Sequence, residues 1–144
     1  SFVLILALSV AWATTYYAGK VITAKGGEIT INDKAKITIP QGALTAYLKK
    51  QGTDSVKITV EMIEVSLSNK IGDNVQGLIF IFGPSGAYFN PPLQLVLEGD
   101  YVNREMMLFD ENGEAVEYSI QRDGNQIIFY IPHFSNYYYD GYYH

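Results

Sequence analysis

Over most of this chain apolar and polar residues alternate with a period of two, the pattern of a β-strand that buries one face. Val56, Ile58, Val60 and Met62 alternate with Lys57, Thr59 and Glu61. Past Met62 the apolar positions change phase to Ile63, Val65 and Leu67, which predicts one extra residue, a β-bulge, at that point. Ile29 and Ile31, then Ile37 and Ile39, mark two short strands around a turn at Asn32-Asp33-Lys34. Leu93, Leu95 and Leu97 form another alternating set, as do Val116, Tyr118 and Ile120. Leu78 to Phe82 and Ile127 to Ile131 are unbroken apolar runs, expected as central strands or strands covered on both faces. Hairpin signals stand at Glu111-Asn112-Gly113-Glu114 and Arg122-Asp123-Gly124-Asn125. Turn signals spaced by roughly 8–12 residues point to a sandwich or barrel. One short helix is expected over Ala43 to Lys50, stopped before Gly52. The pattern therefore predicts an all-β fold, an antiparallel β-sandwich of about eight or nine strands.

The two ends break this pattern. Phe2 to Ala13 reads FVLILALSVAWA, and no charge precedes Lys20. The run is shorter than the ~20 residues of a membrane-spanning helix. It has the length of a secretory h-region, and Ala11-Trp12-Ala13 has the form of a cleavage site. With Ser1 in front and no basic region, the segment is expected to remain on the mature chain. Phe2, Leu4, Leu6, Leu8 and Val10 alternate, but Val3 and Ile5 make the other face apolar as well. Periodicity thus leaves two forms open, a helix and a donor strand that adds to a neighbouring subunit's sheet. Trp12, Tyr16 and Tyr17 extend the candidate contact surface. At the other end Tyr137, Tyr138, Tyr139, Tyr142 and Tyr143 fall within seven residues. They suit a last strand covering the core edge, a subunit interface or, through ring stacking, a sugar contact.

Composition narrows the function. The 144 residues carry 10 Lys+Arg and 15 Asp+Glu, a net charge of −5, which disfavours nucleic acid as a partner. Without cysteine there are no disulfides, thiolate metal sites or cysteine nucleophiles. Charged residues amount to 17% and apolar ones to 48%, an excess concentrated at the two ends.

Candidate chemistry is sparse. Asp110, Asn112 and Glu114 imitate the start of a calcium loop, but the twelfth position is Gln121 and the glycine comes too early. With histidine only at His133 and His144, a His-based zinc site within one chain is not expected. Ser135, His133 and Asp140 are triad residue types without a nucleophile elbow. The acidic pairs Glu61/Glu64, Glu98/Asp100 and Asp110/Glu111 are expected on solvent faces or turns, not as opposed carboxyls in a cleft. No catalytic residue, metal or cofactor is expected.

The motifs together resemble a family. Gly26-Gly27-Glu28-Ile29 precedes Ile37-Thr-Ile-Pro-Gln-Gly-Ala-Leu44. Phe82-Gly-Pro-Ser-Gly-Ala-Tyr-Phe-Asn-Pro-Pro92 and a leucine-alternating strand follow, then Ile131-Pro-His-Phe-Ser-Asn-Tyr137. In this order they resemble the ZU5-like β-sandwich domains, including those of bacterial and archaeal secreted and surface proteins, over about residues 20–138. The resemblance implies a sandwich used for interaction or structure. Within it Pro40 and Gly42 are expected to end a strand, Gly83 to Gly86 to form a tight turn, Pro91-Pro92 to open the next strand, and Phe134 to anchor the last one. The apolar start also resembles mature type IV pilin-like subunits, although bacterial pilins carry Glu at the fifth position and this chain has Ile5.

The organisation expected is an assembly or anchor segment at residues 1–18, a sandwich at 19–138 and a tyrosine-rich tail at 139–144. The function expected is that of a non-catalytic, extracellular or cell-surface filament subunit. Its partners would be copies of itself, with cell-surface or glycan contacts and a membrane contact only before assembly. The alternative is an exported monomeric module that binds carbohydrate or protein, with the N-terminus a leader or anchor.

Overall fold

The computed structural model describes residues 9–68, 74–102, 107–109, 120–134 and 136–140. Among these residues ten strands and one helix run in the order β1 (Ser9–Thr23), β2 (Gly27–Asn32), β3 (Ala35–Ile39), α1 (Thr45–Gln51), β4 (Ser55–Ser68), β5 (Asn74–Gly83), β6 (Tyr88–Glu98), β7 (Met107–Phe109), β8 (Ile120–Asp123), β9 (Gln126–His133) and β10 (Asn136–Asp140). A 3-10 turn, Gly99–Val102, follows β6. One sheet has the order β1-β4-β5-β10-β7 and the other β2-β3-β6-β9-β8. All the pairings are antiparallel. The expected all-β sandwich is the fold.

The core lies between the sheets, where alternate residues of each strand meet. Ile58, Val60, Met62, Phe80 and Phe82 from the first sheet pack in one cluster with Ile37, Leu93, Leu95, Ile127 and Phe129 from the second. Burying side chains of this size stabilises by about 1.5–3 kcal/mol each. Helix α1 closes one side with Tyr47 and Leu48 buried, and Gly52 caps it with amide bonds to Leu48 and Lys49. The helix starts two residues later than the sequence pattern suggests, because Ala43 and Leu44 belong to the turn that Pro40 begins; the Ala43 amide bonds to the Pro40 carbonyl at 3.1 Å. Gly26 is the one residue type its position admits: a Cβ there would lie 2.2 Å from the Ile39 carbonyl oxygen.

Two local expectations need correction. No bulge occurs at Met62, since β4 keeps a single register against β5 from Thr59↔Gly83 to Ser68↔Asn74. The phase change instead moves the apolar residues to the outer face, where Ile63 and Ile79 pack on Val65, separate from the main core. The register shift in this part of the sheet lies on β1, between Val10 and Trp12. Secondly, Pro91-Pro92 does not open β6. The pair lies inside that strand, where the register jumps between Tyr88 and Leu93. The missing proline N–H groups make that interruption cheap. The apolar runs are central strands, the first of the two forms expected: β5 and β9 lie inside their sheets, with Ile81 39% exposed and Ile128 and Tyr130 half-buried on the outer faces. The hairpin at residues 122–125 is present, with Asp123 paired to Gln126 across a Gly124-Asn125 loop. The hairpin expected at residues 111–114 lies outside the described residues.

Phe134 carries the chain from one sheet to the other, between β9 and β10. Its ring stacks on Phe82 at 4.9 Å and meets Phe89 at 4.7 Å, and its amide bonds to the Ala87 carbonyl at 2.8 Å. It therefore fills the anchoring role expected of it. Phe134→Ala is expected to cost about 3–5 kcal/mol, as for other buried aromatic truncations. Urea denaturation measures the loss, and a loss below ~1 kcal/mol would remove this role from Phe134.

Candidate functional site

β1, β4 and β5 together form a groove of about 540 Å³ on the outer face of the first sheet. Its position follows from alternation. Ile58, Val60 and Met62 point into the core, so Lys57, Thr59 and Glu61 face outward. The register then sets two rows across the strands. Tyr17 stands opposite Glu61, which stands opposite Ile81. Gly19 stands opposite Thr59, which stands opposite Gly83.

The glycines shape the floor. A Cβ on Gly83 would lie 2.6 Å from the Thr59 hydroxyl oxygen, so any other residue there would force that side chain to move. A Cβ on Gly19 would come within 3.3 Å of the Lys57 side chain. Thr59 is thereby left exposed at the centre of the groove. The wall beside it is aromatic and apolar, with Tyr17 75% exposed. Tyr17 stands across from Glu61, and hydrogen bonding to that carboxylate and its negative charge raise the phenol's pKa. Glu61 is the one carboxylate among the described lining residues, so the groove does not offer the opposed pair a glycosidase uses.

A second polar cluster joins the sheets. Asn32 donates to the Tyr101 hydroxyl at 3.4 Å, and that hydroxyl donates to Glu64 at 3.1 Å. Lys34 pairs with Asp100 at 2.8 Å and lies 4.4 Å above the Tyr101 ring. Glu64 is thus not on a solvent face as the sequence suggested; it shares the inner face of β4 with Met62, at the rim of the core. Glu98, likewise, accepts a bond from Gln126 at 3.0 Å. Burial, foremost, pushes the Tyr101 phenol up to about 12. The bond to Asp100 raises the Lys34 pKa. The cluster is a structural clamp between the β2–β3 turn, the 3-10 turn and β4.

The sequence-selected residues fall in different places. Val10, Trp12, Tyr16 and Tyr17 all lie on β1. Trp12 is 43% exposed, while Tyr16 packs against the main core. Tyr137, Tyr138 and Tyr139 belong to β10, whose backbone is hydrogen-bonded between β5 and β7. The boundaries drawn at residues 18/19 and 138/139 therefore fall within strands β1 and β10. Phe2, Val3, Leu4, Ile5, Leu6, Leu8, Tyr142 and Tyr143 lie outside the described residues, as do Asp110, Asn112, Glu114 and Ser135. Sequence reasoning missed Gly19, Thr59 and Gly83. The signal was the pair of glycines in strand-like stretches, which marks close approach or an open surface.

Among the described residues no group of three His, Asp or Glu side chains is placed to hold a metal ion. Nor is any described helix long and apolar enough to cross a membrane. No protein-family model, curated protein or solved structure matches the chain.

The Tyr101 clamp gives a pH prediction. The unfolded phenol ionises near 10 and the folded one near 12, so above pH 10 the unfolded state releases its proton first. The stability contributed by Tyr101 is fully present below pH 10 and is lost as pH rises through that window; Lys34 adds a loss of the same sign. Urea midpoints across the window are expected to fall less in Tyr101→Phe than in the wild type. Equal falls would exclude Tyr101 as the cause.

Proposed function

We propose that this chain is a non-catalytic structural subunit of an extracellular filament. In this proposal the apolar N-terminal segment of one copy adds as a strand to the sheet of the next. The observation that carries the proposal is the position of β1. It is a 15-residue strand at the edge of its sheet, with β4 on one side and no ladder partner along the other among the described strands. A long edge of unpaired backbone groups is a template for another strand. β1 also exposes Trp12, Tyr17 and Val21, at 43%, 75% and 60%. Its sequence continues N-terminally into Phe2-Val-Leu-Ile-Leu-Ala-Leu8, which has the alternation and β-branched content of a strand.

Between the two forms left open by the sequence, the extended conformation of Ser9–Thr23 favours the donor strand over the helix. Burying the large apolar side chains from Phe2 to Leu8 would contribute on the order of 10 kcal/mol per contact before ordering costs. That is enough to hold a polymer in which each subunit touches several others. The motif order, which resembles ZU5-like domains of secreted and surface proteins, fits the same proposal.

Removing residues 1–8 tests it, since β1 begins at Ser9. The shortened chain is expected to be a monomer by analytical ultracentrifugation, with an unchanged far-ultraviolet spectrum. The full chain is expected to form fibres visible by negative-stain microscopy. Fibres from the shortened chain, or monomers from the full one, would reject the proposal.

A further inference from the structure

The outer groove of the first sheet does not take part in the edge pairing just described, and its chemistry points to a ligand of its own. It is lined across β1, β4 and β5 by Tyr17, Lys57, Thr59, Glu61 and Ile81, with Gly19 and Gly83 in its floor. Its volume of about 540 Å³ lies within the range of small-ligand sites.

Two classes of occupant are disfavoured by the geometry. A peptide adding as a strand needs free backbone N–H and C=O groups. Here β4 is paired with β1 throughout and with β5 from Thr59 on, so the backbone N–H and C=O groups along the groove are already engaged in the ladders. An ionic ligand meets opposite charges two positions either side of one another's midpoint: Lys57 on one side of Thr59, Glu61 on the other. A cation attracted by Glu61 is opposed by Lys57, and an anion attracted by Lys57 is opposed by Glu61.

A neutral polyol ring suits what remains. The electron-rich face of an aromatic ring attracts the polarised C–H groups of a flat sugar face. Tyr17 supplies such a ring, 75% exposed and directly across the strands from Glu61. The Glu61 carboxylate has lone pairs left to accept from hydroxyls, the Thr59 hydroxyl both donates and accepts, and the Lys57 ammonium donates. Ile81, 39% exposed, offers a second apolar surface across the groove. Gly83 keeps the Thr59 hydroxyl uncovered, because a Cβ there would sit 2.6 Å from it. Glu61 alone provides no partner carboxyl for hydrolysis, so the ligand would be held and released unchanged.

We propose that this groove is a binding site for neutral saccharides, with one sugar ring stacked on Tyr17 and its hydroxyls bonded to Glu61, Thr59 and Lys57.

Saturation-transfer NMR on the full chain tests the proposal, and it serves for monomers and fibres alike. The probes are soluble hexasaccharides of glucose, N-acetylglucosamine, xylose, mannose and galacturonate. At least one neutral probe is expected to receive saturation, strongest at the C–H protons of one ring face. Tyr17→Ala is expected to weaken that probe's affinity about tenfold or more, the scale of one well-placed contact. Gly83→Val is expected to block binding. Because Gly83 also borders a turn, Tyr17→Ala, on an exposed edge strand, decides the matter by itself. Transfer to no neutral probe, unchanged affinity in Tyr17→Ala, or preference for galacturonate would each overturn the proposal. None of these outcomes depends on whether the chain forms fibres.

Discussion

The structure depends on one strand being held on both sides. β4 pairs with β1 along its whole length, from Ser55 to Ser68, and with β5 from Thr59 to Ser68. Backbone groups in such a ladder are satisfied by their neighbours, so the register is fixed and every side chain is committed to one face. A slip of one residue would expose Ile58, Val60 and Met62 and bury Lys57, Thr59 and Glu61. The same pairing that places the core residues inside therefore also places the polar row of the groove outside. It also puts β1 at the edge, where no described strand pairs with its outer side.

The two sheets are then joined by a small number of specific contacts. The Phe82–Phe134–Phe89 stack lies where the chain passes from the second sheet back to the first. The Tyr101–Glu64 bond closes a rim between the sheets. One is apolar and packed, the other polar and satisfied on each side. Both resist sliding of one sheet over the other, which burial of apolar area alone does not prevent, since that term has no direction.

Much of the fold was legible because alternation reports directly on burial. The hairpin at Asn32-Asp33-Lys34, strands β4 and β6, and the turn residues Pro40, Gly42 and Gly83 to Gly86 follow from residue type and spacing. The bulge expected at Met62 was an error of a particular kind. A phase change in the apolar pattern arises either from an inserted residue or from a strand whose outer face becomes apolar, and the pattern cannot separate them. Here Ile63, Val65 and Ile79 make the second case. The groove was not legible for a related reason. Gly19 and Gly83 are 64 residues apart, the span between those numbers in the sequence, and only the common partner Thr59 brings them into one row. Glu64 looked like a solvent-face acid because its partner Tyr101 comes from a distant turn. The extended form of residues 9–23, by contrast, emerged only from the pairing of β1 with β4.

Edge strand and groove give the first sheet two distinct surfaces, one formed by backbone and one by side chains. The account stands chiefly on the first. Hydrogen exchange along β1, read residue by residue in assembled full-length protein and in the chain lacking residues 1–8, tests it most directly. The amides of β1 that point away from β4 are predicted to exchange slowly in the assembled protein and rapidly in the shortened chain. Equal exchange of those amides in the two would contradict the claim that β1 is the edge on which this protein assembles.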